Sequence, residues 1–297
     1  MRIAVTGANG FVGRHVVARA GPHHAVRALI STRPGAEREL PATAGVELRR
    51  ADVRDPASLR GAFDGIDAVV HTVAVPTERR QKFADVNVAG VAHVVEEARR
   101  AGVRRLVHIS AIGADPDSPY PYLRSKGRGQ ALVTGAGIPH VVLRPSLLFG
   151  EGDDFFPRLR FTLLFPLVPI PGDGKARFQP VHVDDLAQAL LAAVERPEIA
   201  GVHEVGGPEP LTYDDMLVET MRGTGTRRPT LHVPVPLMKL PAFAMSVLPD
   251  PPVTVSQLDL LAVDNTPRQN AMEPVFGIRP RPFKGALGYL RERKRAA

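Results

Sequence analysis

The chain has 297 residues, of which 44% are hydrophobic and 23% charged, and a formal net charge of +7. It contains no cysteine, which excludes disulfides, thiolate catalysis and Cys-ligated zinc or iron–sulfur sites. The basic excess is nearly all arginine, with lysine only at Lys82, Lys126, Lys175, Lys239, Lys284 and Lys294. These cations are scattered and aromatics make up only 5%, so nucleic acid is not an expected partner.

In chain order, short β-branched runs alternate with amphipathic stretches. Strands are predicted at 2–7, 25–31, 46–52, 68–73, 105–110 and 140–145, and helices at 11–20, 36–40, 57–63, 83–101 and 122–134. The strands read as near-continuous apolar runs (AVVHTV, RLVHIS, HVVLRP), as in a sheet covered on both faces. Strand–helix alternation of this kind predicts an α/β fold with a doubly wound parallel sheet. Local signals agree with this register. Asp55–Pro56 is a helix start, Gly102 a helix stop, and Asp184 and the Thr212/Asp215 pair are caps. Beyond Gly150 the pattern becomes rich in Phe, Leu and Pro. A strand at 178–183, a helix at 184–195 and a strand at 202–206 then return to the sheet, and the remainder reads as helical or irregular. The expected organisation is a nucleotide-binding core over 1–150, rejoined by 178–207, and a smaller, mostly helical C-terminal cap from 151–177 and 208–297.

The first strand–helix junction reads TGANGFVG and places Gly7, Gly10 and Gly13 around Asn9, Phe11 and Val12. Glycines there permit a tight turn, let backbone amides approach a pyrophosphate at a helix N-terminus, and allow the helix to pack close on its strand. The end of the second strand carries Ser31, Thr32 and Arg33, and the first acidic residue of the chain is Glu37. A carboxylate about 20 residues past the glycines would accept from a ribose 2′-hydroxyl. A guanidinium instead grips a 2′-phosphate dianion, so NADP(H) is expected over NAD(H). At the third strand end Asp52 is placed to accept from an adenine amino group, or to serve as a turn residue, while Val53 packs on the ring. Val73 and Ala74 end the fourth strand and leave room for the nicotinamide ribose.

Tyr122 and Lys126 in YLRSK share one face of a predicted helix, and Ser110 ends the preceding strand. A free phenol titrates near ~10. A neighbouring ammonium favours the phenolate and brings it toward the range where proton transfer is efficient. Ser110 would hold the substrate oxygen, and Asn87 would support Lys126 through water. The histidines show no metal-ligand spacing, and no metal is expected. Two apolar segments, 161–170 and 234–249, are read first as the buried face of the cap. A greasy substrate wall, or a peripheral membrane or protein contact, is the alternative. Pro166 and Pro169 interrupt the first segment, which is far short of the ~20 residues a bilayer span needs. Met1 runs straight into RIAVTG without a leader pattern, so a cytoplasmic location is expected.

Taken together, TGANGFVG, Asp52–Val53, VNVAG at 86–90, HISAIGA at 108–114, YLRSK, LRPSLLFG at 143–150 and PVHVDDLA at 180–187 resemble the extended or atypical short-chain dehydrogenase/reductases. The branch most similar contains the NADPH-binding accessory subunit of respiratory complex I and its bacterial relatives. The resemblance implies a Rossmann-like NAD(P)-binding fold, with phosphate contacts at Gly7, Gly10, Phe11 and Val12. It implies 2′-phosphate contact at Arg33, nicotinamide contact near Pro145 and ribose contact at Lys126. Tyr122 would be the acid/base and Ser110 its helper, although Ser110 stands nearer the tyrosine than in many extended members. Three functions follow as expectations. The first is an oxidoreductase acting on a carbonyl or alcohol of a hydrophobic small molecule. The second is a non-catalytic NADPH-binding module that docks to a partner, and the third a sugar-nucleotide epimerase or dehydratase.

Overall fold

A computed structural model describes residues 1–40, 45–78, 81–244, 254–261 and 263–291. In chain order it shows β1 (Arg2–Thr6), α1 (Phe11–Ala20), β2 (Ala25–Ile30), β3 (Val46–Arg50), α2 (Pro56–Leu59), β4 (Ala68–His71), α3 (Gly90–Arg100), β5 (Arg105–Ile109), α4 (Pro121–Thr134) and β6 (His140–Pro145). There follow β7 (Leu148–Phe149), α5 (Phe155–Thr162), β8 (Val168–Pro171), β9 (Arg177–Phe178), β10 (Val181–His182), α6 (Val183–Glu195) and β11 (Gly201–Val205). The chain continues with β12 (Leu211–Thr212), α7 (Tyr213–Thr224), β13 (Thr230–Val233), α8 (Val235–Ala244) and α9 (Val255–Leu261). These elements fall into two units. The first comprises Met1–Pro145, Val183–Val205 and Gln269–Ile278, and the second Ser146–His182, Gly206–Arg268 and Arg279–Ala297.

Among the described residues the first unit holds one seven-stranded parallel sheet in the order β11-β6-β5-β4-β1-β2-β3. β4 and β5 are buried along their whole length, as their unbroken apolar runs require. The strand order reverses at β1, which lies between β2 and β4. Ligands of such sheets bind beyond the carboxyl ends of the strands at this switch point. One core packs Val69, Leu106 and Val142 of the sheet against Val91, Val94 and Val95 of α3 and Phe63 after α2.

Several elements differ from expectation. Residues 178–183 do not rejoin the main sheet. Phe178 pairs with Leu211 and Val181 with Leu148, inside the second unit. Residues 269–278 instead belong to the first unit, where the Ala271 amide donates to the Glu204 carbonyl (2.9 Å). The helix expected over 83–101 begins as a π-turn at Ala84–Ala89 and becomes α-helical only at Gly90. The helix expected over 57–63 closes after one turn at Leu59, where Gly61 takes a positive φ. Asp55 caps it as predicted, and Thr212 and Asp215 form a reciprocal capping box. Asp184 lies inside the first turn of α6, and its carboxylate engages His15 Nδ1 at 2.6 Å.

The second unit has its own core, in which Phe149, Phe156 and Phe283 make tilted and edge-on ring contacts with centroids 5.1 Å apart. It also carries short strand pairs, β12 with β9 and β13 with β8, of which β8, β12 and β13 fall in stretches expected to be helical or irregular. The apolar segments are only partly the buried face expected: Leu163, Val168 and Ile170 pack in the second unit's core, but other large apolar side chains do not. Phe161, Leu164, Phe165 and Leu167 are exposed, as are Leu237, Leu240 and Phe243 of α8. Within α8 only Ala242 is buried. The part of the second apolar segment at 245–249 lies outside the described residues. No described helix is long and apolar enough to cross a membrane.

Candidate nucleotide and acid/base site

The glycine loop follows β1 with Gly7 in the left-handed region (φ 68°), the one place in the loop where a positive φ demands glycine. A Cβ on Gly13 would lie 2.1 Å from the Gly7 carbonyl oxygen, so only glycine lets α1 sit this close to the strand. Gly10 is the N-cap of α1. No side chain caps the helix and no acid lies in its first turn. The amides at Phe11 and Val12 therefore face the loop as donors without a side-chain acceptor, in the positive end of the helix dipole. Asn9 ties the loop to the end of β2, its Oδ1 accepting from the Ser31 amide at 3.0 Å. This uncapped helix end and glycine-lined turn fit a dinucleotide diphosphate.

At the end of β2 the Ser31 hydroxyl accepts from the Arg33 amide at 3.2 Å. The Arg33 guanidinium is not free. It donates to Glu39 Oε1 at 2.5 Å, and Asn9 Nδ2 donates to Glu39 Oε2 at 2.8 Å. The strand end thus holds a carboxylate that sequence spacing did not place there. A 3-10 turn at Ala36–Glu39 bends the chain back to deliver it. Hydrogen bonds from Asn9 and Arg33 hold the Glu39 carboxyl below the usual carboxylate range.

Asp52 is occupied locally, with Arg54 donating to it from the backbone amide (2.9 Å) and from the guanidinium (2.5 Å). Its carbonyl accepts from the Asp55 amide, which is the geometry of the turn role. Val53 is buried, and a Cβ on Gly90 would stand 2.8 Å from its Cγ2, so Gly90 lets α3 approach the third strand end. Val73 is half-buried and Ala74 exposed beyond β4, while Pro145 is buried at the end of β6.

Lys126 is buried, and its ammonium donates to the Ile109 carbonyl at 2.6 Å, at the carboxyl end of β5. The next residue, Ser110, is buried and its Oγ finds no partner among the described residues. One helical turn before Lys126, Tyr122 packs its ring against Phe83, with centroids 5.9 Å apart. The helix carrying both is held close by glycines. A Cβ on Gly129 would meet the Asn87 carbonyl oxygen at 2.3 Å, and one on Gly127 would meet the backbone of Asp115 at 2.2 Å. Asn87 makes no direct hydrogen bond to Lys126 among the described residues. Its amide donates to the Val75 carbonyl (3.1 Å) and to Ser125 Oγ (3.0 Å), and accepts from the Val75 amide (2.9 Å). Nor is the Tyr122 phenol lowered. Burial pushes it up to about 12, and burial brings Lys126 down to about 8. Beneath them, and missed from sequence, lie two buried imidazoles. His71 and His108 occupy paired positions on β4 and β5 and stack with centroids 5.2 Å apart. Burial holds His71 down to about 3, so the pair is neutral at physiological pH.

The model of the NAD dependent epimerase/dehydratase family matches residues 3–206. The chain belongs to this family. This epimerase/dehydratase member is 30% identical over 239 residues to the mitochondrial NADH dehydrogenase [ubiquinone] 1 alpha subcomplex subunit 9 of Dictyostelium discoideum, covering 78% of this chain and 66% of that protein. It is 30% identical over 278 residues to sterol demethylase protein B of Methylococcus capsulatus, covering 84% and 82%. The family fold is equally plain in the dTDP-glucose 4,6-dehydratase of Streptomyces venezuelae, solved with NAD and TYD bound. The two superpose with a TM-score of 0.75 at 22% identity, over 98% of this chain and 95% of that one.

Proposed function

We propose that the protein is an NADP(H)-dependent oxidoreductase acting on a carbonyl or alcohol of a hydrophobic small molecule. The observation that carries this reading is the buried Lys126 ammonium at the end of β5, beside the unpartnered Ser110 hydroxyl, with Tyr122 one turn earlier on the same helix. When bound, the dinucleotide supplies or accepts the hydride. The amides at the start of α1 would hold its diphosphate, and Arg33 favours the 2′-phosphorylated form. Ser110 would donate to the substrate oxygen and fix its position. Tyr122, fully protonated near neutral pH, would pass its proton to that oxygen as the carbon is reduced. Lys126, still mostly cationic below about 8, would stabilise the phenolate left behind. In the oxidising direction the same phenolate would take the proton back. The sterol-related relative supports a hydrophobic substrate.

The test is Tyr122→Phe. Turnover across a panel of carbonyl compounds should vanish while coenzyme affinity is preserved; unaltered turnover would overturn the mechanism. A second reading, a coenzyme-binding module without turnover, draws on the likeness to the respiratory-complex subunit. It predicts that bound NADPH stays reduced with every carbonyl compound in the same panel.

A further inference from the structure

A row of polar side chains crosses three neighbouring strands and ends at the acid/base site. Thr6 of β1 pairs in register with His71 of β4, and His71 with His108 of β5. All three are buried. Thr6 Oγ1 anchors His71 through Nδ1 at 2.7 Å, and the His71 ring stacks on His108. Beyond His108 the Ser110 amide donates to the Leu143 carbonyl at 2.8 Å, which carries the pairing of β5 with β6 one residue further. Side chains alternate along an extended strand, so His108 and Ser110 share a face with about 7 Å between them. An imidazole and a hydroxyl are together long enough to close that gap. Four buried atoms gather here without a hydrogen-bond partner among the described residues: His71 Nε2, both ring nitrogens of His108 and Ser110 Oγ. Burying polar atoms unpaired costs stability, so such a group calls for a function.

We infer that His108 is a positioning residue that acts through Ser110: its imidazole N–H donates to Ser110 Oγ and turns the hydroxyl proton toward the substrate oxygen. This rests on the reading above, in which Ser110 donates to that oxygen. A hydroxyl has one proton and two lone pairs and rotates to suit its neighbours. With an N–H engaged on a lone pair, its own proton is left for the substrate. A neutral imidazole carries the single N–H required, and burial keeps this ring neutral. The neighbouring donors are engaged elsewhere, Lys126 on the Ile109 carbonyl and Asn87 on the Val75 carbonyl and Ser125 Oγ. Hydrogen bonds of catalytic groups commonly tighten only once substrate is bound. The bond from His108 closes when the substrate oxygen engages Ser110, and no proton leaves the imidazole. His71 has a different task, since its bond to Thr6 fixes the ring against which His108 packs.

The experiment is steady-state kinetics of the full chain with NADPH and a panel of aliphatic and aromatic ketones and aldehydes. The variants are His108→Leu, His108→Gln, Ser110→Ala and His108→Leu/Ser110→Ala. One hydrogen bond in the transition state corresponds to about tenfold in rate. His108→Leu should therefore lower kcat about tenfold and leave KM and NADPH affinity close to wild type. His108→Gln keeps an N–H donor and should recover most of that loss. In the Ser110→Ala background His108→Leu should lower kcat by less than about twofold, because the two side chains act as one. Melting temperature gives a readout independent of turnover. Leucine removes two unpartnered nitrogens from a buried position, so His108→Leu should melt at or above wild type. An unchanged kcat in His108→Leu, losses that multiply in the double variant, or a lower melting temperature without rescue by glutamine would overturn the assignment. A wild type that reduces no compound of the panel would overturn the oxidoreductase reading itself and the assignment with it, so the two failures are distinguishable.

Discussion

Acid should destabilise this fold through two histidines that carry no surface role. His71 and His108 face each other on β4 and β5, and each is 1% exposed. His71 Nδ1 pairs with Thr6 Oγ1 at 2.7 Å, whereas His71 Nε2 and both nitrogens of His108 have no partner among the described residues. Burial, with the Lys126 charge adding to it, holds His71 down to about 3, and His108 is shifted the same way by burial, Lys126 and His71. In the unfolded chain both rings titrate near ~6.5. As pH falls below that value the unfolded state takes up protons that the folded state refuses. The stability is therefore complete above about pH 6.5 and is lost progressively as pH falls toward 3. Each pH unit well below 6.5 costs about 1.36 kcal/mol per ring, and because the unfolded ring is only half protonated at 6.5, His71 alone removes about 2 kcal/mol between pH 6.5 and pH 4.5. That is a large share of the ~5–15 kcal/mol that stabilises a typical domain. Urea unfolding followed by circular dichroism at pH 7 and pH 4.5 measures it. A His71→Asn/His108→Leu variant, which cannot titrate there, should lose less stability between the two values than wild type, by about 3 kcal/mol or more. Comparing the two chains cancels what the carboxylates contribute to both. Equal losses, or ring proton resonances assigned to His71 and His108 that titrate near ~6.5 in the folded protein, would refute the reasoning.

Two further predictions concern helix packing and the exposed apolar surface. Gly129→Ala places a methyl group 2.3 Å from the Asn87 carbonyl oxygen, which α4 cannot accept without moving away from the π-turn. It should lower the melting temperature and weaken turnover even though residue 129 touches no reactant, and a wild-type melting curve would contradict this. We also propose that the second unit's exposed Phe165, Leu240 and Phe243 let the protein associate with lipid. Flotation with anionic liposomes should carry wild type into the lipid fraction and leave Leu240→Ser/Phe243→Ser behind; complete absence of wild type from the lipid would end that proposal.

The sheet was legible because its central strands β4 and β5 are buried along their whole length and therefore read as unbroken apolar runs, and because Gly7, Gly10 and Gly13 mark the first turn. The Tyr122–Lys126 spacing was legible as one helical turn. What escaped the sequence depends on long-range return of the chain. Glu39 lies well past the strand it serves, and only a 3-10 turn brings it to Arg33 and Asn9. Residues 178–183 have strand composition, but their partners, Leu148 and Leu211, lie outside the main sheet. The acidity of Tyr122 was misjudged because i, i+4 spacing suggests a neighbouring charge, while the Lys126 ammonium is committed to the Ile109 carbonyl and burial acts unopposed on the phenol. The His71–His108 pair looked like ordinary strand residues because register between β4 and β5, not local pattern, sets one ring on the other.

A crystal structure of the protein grown with NADPH tests the central claim most directly. The account predicts the diphosphate within hydrogen-bonding reach of the amides at Phe11 and Val12, with the adenosine ribose beside Asn9, Arg33 and Glu39. A dinucleotide bound elsewhere, or a glycine loop that stays empty at saturating coenzyme, would contradict it.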